Sequence, residues 1–117
     1  MGYIAHHAVI VTVSGYVLNR DQSPQMPDVE GFRESLPEQF RKLIIGPVES
    51  ITNGYLHFIF LPDGSKEGWE TSDLGDTYRE QFIKLFDFKY NDGSSPFDGV
   101  EIRYGGDEPD AAYIARI

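Results

Sequence analysis

A chain of 117 residues has the length of one domain built on one core. Its 40% hydrophobic content, with eight Phe, seven Tyr and one Trp, excludes a disordered segment. A formal charge of -9 disfavours a general DNA or RNA binder, because such binding needs Lys and Arg on phosphates, and the lack of cysteine excludes disulfides, thiolate metal sites and cysteine nucleophiles.

No apolar run approaches the roughly eighteen residues that a membrane span needs, and the start at Met1 lacks the basic flank of a secretory signal. Met1-Gly2 resembles a myristoylation start, but His6 stands where that signal wants Ser or Thr. A cytoplasmic location is expected. The acidity has two readings: solubility, or a surface that mimics nucleic acid and occupies a basic groove.

Ile4 to Val13 is a β-branched run with apolar residues on both faces, as in a central strand. A polar loop closed by Ser23-Pro24-Gln25-Met26-Pro27 follows. Val29, Phe32, Leu36, Phe40 and Leu43 then recur three or four apart and predict a helix. Pro37 kinks it or restarts it after Ser35, whose hydroxyl is a candidate cap, and Gly46-Pro47 ends it. Val48–Thr52 and Tyr55–Leu61 flank Asn53-Gly54, the dipeptide best suited to the two positive-φ positions of a type I′ hairpin. Pro62-Asp63-Gly64-Ser65 is a turn.

Ser72-Asp73 reads as the cap of a second helix carrying Tyr78, Phe82, Leu85 and Phe86 at helical spacing, with Glu80 and Lys84 paired on the opposite face. After the turn residues 91–96, Val100 to Tyr104 alternates apolar and charged residues, and after a loop at 105–109 a last strand is expected at 113–117. The order strand, helix, hairpin, helix, strand, strand predicts a single α+β domain over 1–117. Its plan is ferredoxin-like, of the split βαβ type, with two helices on one face of the sheet and an extra C-terminal strand. The expected core is Val9, Val11, Phe32, Phe40, Phe58, Phe82, Leu85 and Ile102.

Chemistry-bearing residues are few. His6 and His7 are neighbours on a strand and point to opposite faces, so they do not easily share a metal; His57 adds a third imidazole, but no metal-ligand spacing appears. One buried histidine and one at a strand end, or ligand contacts by either, remain open. Asp63, Glu67, Glu70, Asp73 and Asp76 lie in or beside a turn and a helix start, where acidic residues have a structural reason. Ser94-Ser95 lacks a nucleophile-elbow context, so no catalytic residue is assigned. Gly64-Ser65-Lys66 offers amides, a hydroxyl and an ammonium, the groups that bind phosphate, without Walker spacing. Trp69 nearby offers a stacking face or a core anchor.

Several stretches together resemble a family of small phage-encoded proteins: His6-His7-Ala8-Val9-Ile10-Val11-Thr12, Asn53-Gly54-Tyr55, Pro62 to Trp69, Ser72-Asp73 with Gly75-Asp76, Asp92 to Pro96, and Val100 to Gly105. The resemblance covers most of the chain except 14–48. It is to the sponge proteins that sequester the cyclic dinucleotide signals of the bacterial CBASS defence without degrading them. The resemblance implies a homo-oligomeric binding protein in the host cytoplasm, with no cofactor. Lys66, Arg79 and Arg103 would take phosphates, Trp69 and Tyr104 would stack on bases, and His6, His7 and Asn53 would make polar contacts. The rival expectations are an acidic inhibitor of a host defence protein, motivated by the charge, and a phosphodiesterase, motivated by His6-His7 alone.

Overall fold

The computed structural model describes residues 4–14, 27–66 and 68–105, and the backbone of 112–116. The loops expected at 23–26 and 106–109 lie outside these residues.

Five strands form one sheet: β1 (Ala5–Ser14), β2 (Ile44–Glu49), β3 (Tyr55–Phe60), β4 (Phe97–Gly105) and β5 (Ala112–Arg116). Their order across the sheet is β2-β3-β1-β4-β5, and every neighbouring pair is antiparallel. β1 is central, as its two-sided apolar character requires. The helices α1 (Val29–Ser35) and α2 (Glu38–Arg41) connect β1 to β2, and α3 (Glu70–Lys84) connects β3 to β4. This is the α+β, split βαβ arrangement with β5 added beyond β4.

Pro37 breaks the first helix instead of bending it, so there are three helices where two were expected. Ser35 does not cap the second piece; its hydroxyl donates back to the Phe32 carbonyl at 2.6 Å. The exposed end of α1 is closed by Arg41, which donates to the Leu36 carbonyl at 2.8 Å and the Glu34 carbonyl at 3.2 Å. Gly46-Pro47 terminates no helix. It lies within β2, at a register irregularity of this edge strand, where a missing N–H disrupts no second ladder. α3 starts at Glu70 after Trp69, so Ser72 and Asp73 fall in its first turn and do not cap it. Asn53 and Gly54 take the expected positive φ, 68° and 64°, but the connection is longer than the two-residue turn expected: β2 ends at Glu49, which pairs with Leu56, and the Ser50 amide donates to the Tyr55 carbonyl at 2.8 Å, so residues 51–54 form the loop.

The helices pack on one side of the sheet. Val9, Val11 and Val13 point there from β1, opposite Phe60, Phe58 and Leu56 on β3. The α3 rings close over them: Phe82 meets Phe60 edge-on at 5.7 Å and Phe86 at 5.3 Å, and Phe86 meets Phe97 at 5.4 Å. Val9, Val11, Phe40, Phe58 and Phe82 are buried as expected, with Phe32 and Leu85 half-buried at the margin.

Ile102 departs from expectation. It pairs with Ala8, so it lies on the face away from the helices. The alternation of β4 therefore runs in the opposite phase: Phe97, Gly99, Glu101 and Arg103 share the helix-side face with Val13, Val11, Val9 and His7. Among the described residues no helix is long and apolar enough to cross a membrane.

Candidate functional site

The inverted phase of β4 places charge where the pattern predicted apolar side chains. At one end of the sheet Arg103 stands opposite His7, and Glu101 opposite Val9, all on the helix-side face. α3 lies over this end. One turn before Phe82 its Arg79 is buried, at 4% exposure, with both terminal nitrogens engaged. One donates to Asp63 at 3.3 Å and the other to Asp76.

Asp63 belongs to the loop leaving β3, and its second oxygen accepts the Ser65 amide at 2.7 Å together with the Ser65 hydroxyl. Burial alone would raise the Asp63 carboxyl, but the two Ser65 hydrogen bonds and Arg79 outweigh it and hold its pKa below the ordinary value. The helix approaches so closely here that a Cβ on Gly75 would strike the Asp63 carboxylate. Glycine at that position is what lets the loop dock on α3.

His7 is half-buried among these charges. Its pKa lies below the usual histidine value, chiefly because burial disfavours the cation and next because Arg79 repels it; Asp76 and Glu101 oppose the shift, and Arg103 adds to it. The imidazole is therefore neutral at neutral pH and can accept as well as donate a hydrogen bond. Arg103 is half-buried too, and its Nε–H has no hydrogen-bond partner among the described residues. A buried, unanswered guanidinium N–H is costly and is suited to an anionic oxygen supplied from outside.

The expected site residues divide into groups. His7, Arg103 and Arg79 come together, with Arg79 already paired with two carboxylates. Lys66 and Trp69 share one tight turn on the loop that Asp63 anchors, the Trp69 amide donating to the Lys66 carbonyl at 3.1 Å. The Trp69 ring is 55% exposed, so it is not a core anchor. His6 and Tyr104 meet as a tilted ring pair on the other face of the same sheet end, ring centres 5.3 Å apart and planes at 40°. Asn53 is remote: it sits beyond Tyr55, which pairs with Ser14, seven residues along β1 from His7 and so about 23 Å away along the strand direction.

Sequence reasoning assigned Asp63 and Asp76 to turn and helix-start roles and gave Glu101 an outward position. Their place around Arg79 and His7 depends on tertiary contacts that no local spacing announces. Among the described residues no three histidine or carboxylate groups assemble as a metal ion requires. The Ser94 hydroxyl donates to Asp92 at 2.6 Å within a turn. Thr12 and His57 share a hydrogen bond of 3.0 Å on the face away from the helices. Compared with models of protein families, with curated proteins and with solved structures, the chain gives no significant match.

Proposed function

We propose that the protein binds a small phosphate-bearing nucleotide at the His7–Arg103 end of the sheet and holds it without cleaving it. The ligand class is the cyclic dinucleotide that the resemblance implies, in a phage immune-evasion role in the host cytoplasm. The observation that carries this reading is the Nε–H of Arg103, which has no partner among the described residues and is turned inward beside a neutral His7 where strand alternation called for an apolar side chain. Departures of this kind from the local pattern concentrate at functional sites. Arg79 is already paired with Asp63 and Asp76, whereas Arg103 and the exposed Lys66 have no ion pair among the described residues and are free to take a phosphate. The Trp69 face next to Lys66 supplies stacking for a base.

Calorimetry with a panel of cyclic dinucleotides tests the reading. Micromolar or tighter binding is expected, with intact nucleotide recovered after long incubation. Replacing Arg103 by Ala removes a charge-assisted contact, about 1.5–3 kcal/mol, and replacing Trp69 by Ala removes a stacking face, about 1–3 kcal/mol. Each variant should bind roughly ten-fold more weakly or worse. Absence of binding by every cyclic dinucleotide at tens of micromolar would refute the proposal.

A second reading, an acidic inhibitor of a host protein, is favoured by the exposed outer surface of the helices, which carries Glu30, Glu34, Glu38, Glu70, Asp73 and Glu80. It predicts salt-sensitive capture of a basic host protein, which reversing Glu34 and Glu38 to Lys would abolish.

A further inference from the structure

A site for phosphate alone has no use for an anion, since like charges side by side cost affinity. The inverted phase of β4 nevertheless carries one there. Glu101 stands opposite Val9 on the helix-side face, two residues before Arg103 and so about 6.6 Å from it along the strand. It is half-buried, and among the described residues no ion pair holds it, with Arg103 or with any other cation. The His7 pKa, lowered by burial and by Arg79, is drawn back up by Asp76 and by Glu101, so this carboxylate lies within electrostatic range of the imidazole.

On its other side β4 pairs with β5. The register there sets Ala115 opposite Glu101 and Ala112 opposite Arg103, residues that bring no hydrogen-bonding side chain to either. A register irregularity falls between Glu101 and Ile102. Such irregularities collect beside binding sites, where they re-aim a side chain.

We propose that Glu101 reads the base of the nucleotide bound at this end of the sheet and selects guanine, a proposal that rests on the nucleotide-binding function proposed above. A carboxylate only accepts hydrogen bonds, and its two oxygens match a base edge with two adjacent donors. Guanine offers N1–H beside its N2 amine. Adenine and cytosine each set a ring lone pair beside their amine, and uracil holds a single N–H between two carbonyls. Guanine alone among the common bases therefore satisfies both oxygens. Against adenine, one oxygen gives up water and faces a lone pair in return, which is costly in a half-buried place. Arg103 and Glu101 then divide one ligand between them, the guanidinium taking phosphate and the carboxylate taking the base.

Calorimetry with cyclic di-GMP, cyclic di-AMP and cyclic di-IMP measures the selection, because hypoxanthine keeps N1–H and lacks the N2 amine. Cyclic di-GMP should bind roughly ten-fold more tightly than cyclic di-AMP, or better, as a bidentate contact to a base gives, with cyclic di-IMP between them. Glu101→Gln, close in shape, should bring the guanine and adenine ligands to similar affinity, while Arg103→Ala should weaken all three and keep their order. Thermal melting checks that both variants fold; should Glu101→Gln not fold, the order of the three ligands on the wild-type protein carries the test. Equal wild-type affinity for the guanine and adenine ligands, cyclic di-IMP at either end of the order, or a guanine preference that persists in folded Glu101→Gln would overturn the proposal and leave nucleotide binding at Arg103 standing. Failure of all three ligands to bind would remove the nucleotide-binding function and the base selection together.

Discussion

β1 presents the same kind of side chain to both sides of the sheet, and the two sides fare differently. Val9, Val11 and Val13 are fully buried, whereas Ile10 between them keeps 37% of its surface. The difference lies in what packs above. On one side the rings of Phe82 and Phe86 fill the space against Phe58, Phe60 and Phe97. On the other no described element lies over the sheet. Burial of a strand residue is thus decided by its phase and by the partner layer, and hydrophobicity alone does not reveal which side is covered.

The largest expected effect comes from breaking the filled side. Phe82→Ala removes a fully buried ring that touches three other Phe residues, and should cost roughly 3–5 kcal/mol in urea unfolding. Ile10→Ala on the open side, measured on dilute protein, should cost less than about 1.5 kcal/mol, because part of that side chain is already in water. Equal losses at the two positions would show that the two faces are equally covered. At the polar end of the filled side, Asp63→Ala strands the buried Arg79 guanidinium with only Asp76, and should cost roughly 3 kcal/mol, near the low end for breaking a buried pair.

The same end of the sheet gives the comparison a pH dependence. The folded pKa of His7 is below its unfolded value of about 6.5, so between those two values the unfolded chain binds a proton that the folded chain rejects. Stability from this group is complete above about pH 6.5 and is lost as pH falls from there towards the folded value. Asp63, lowered from 3.8, contributes above that pH and loses its contribution as pH falls through its folded pKa. Urea midpoints of the wild type and of His7→Gln, followed from pH 8 to pH 5, should converge or cross as pH drops below about 6.5. Parallel curves would mean that His7 titrates alike in both states. Repeating the series from pH 5 to pH 3 with Asp63→Asn should isolate the second step.

Much of the fold was readable from local pattern. The central strand, the Asn53-Gly54 hairpin and the α3 stripe each depend on short-range chemistry, and their order suffices for the split βαβ plan. The failures have physical causes. Ile44 and Ile45 continue the apolar spacing of the preceding helix, so β2 was expected to start later than it does; only pairing with Phe60 and Ile59 identifies them as strand. In β4 both phases alternate equally well, and the usual rule of apolar inward chose the wrong one, because this end of the helix-side face holds His7 of β1 with Arg79 and Asp76 of α3, so that Glu101 and Arg103 meet a polar surrounding there. In the site, alternation alone separates His6 from His7. The Arg79–Asp63 pair spans sixteen residues and needs the docked loop to exist.

The smallest effect expected concerns Asn53, which the resemblance grouped with the ligand contacts and the fold separates from them. Its φ of 68° lies in the left-handed region, which asparagine tolerates and glycine adopts without strain. Its side chain makes one long contact, 3.3 Å to the exposed Thr52 hydroxyl. Asn53→Gly should therefore change stability by no more than about 0.5 kcal/mol, since glycine loses more entropy on folding but relieves the backbone. At about 23 Å from His7 along the strands, the same substitution should leave nucleotide affinity unchanged while Arg103→Ala reduces it. Calorimetry on both variants makes the contrast direct. A loss of affinity in Asn53→Gly as large as that in Arg103→Ala would place the ligand at the hairpin end and move the site away from the inverted phase of β4.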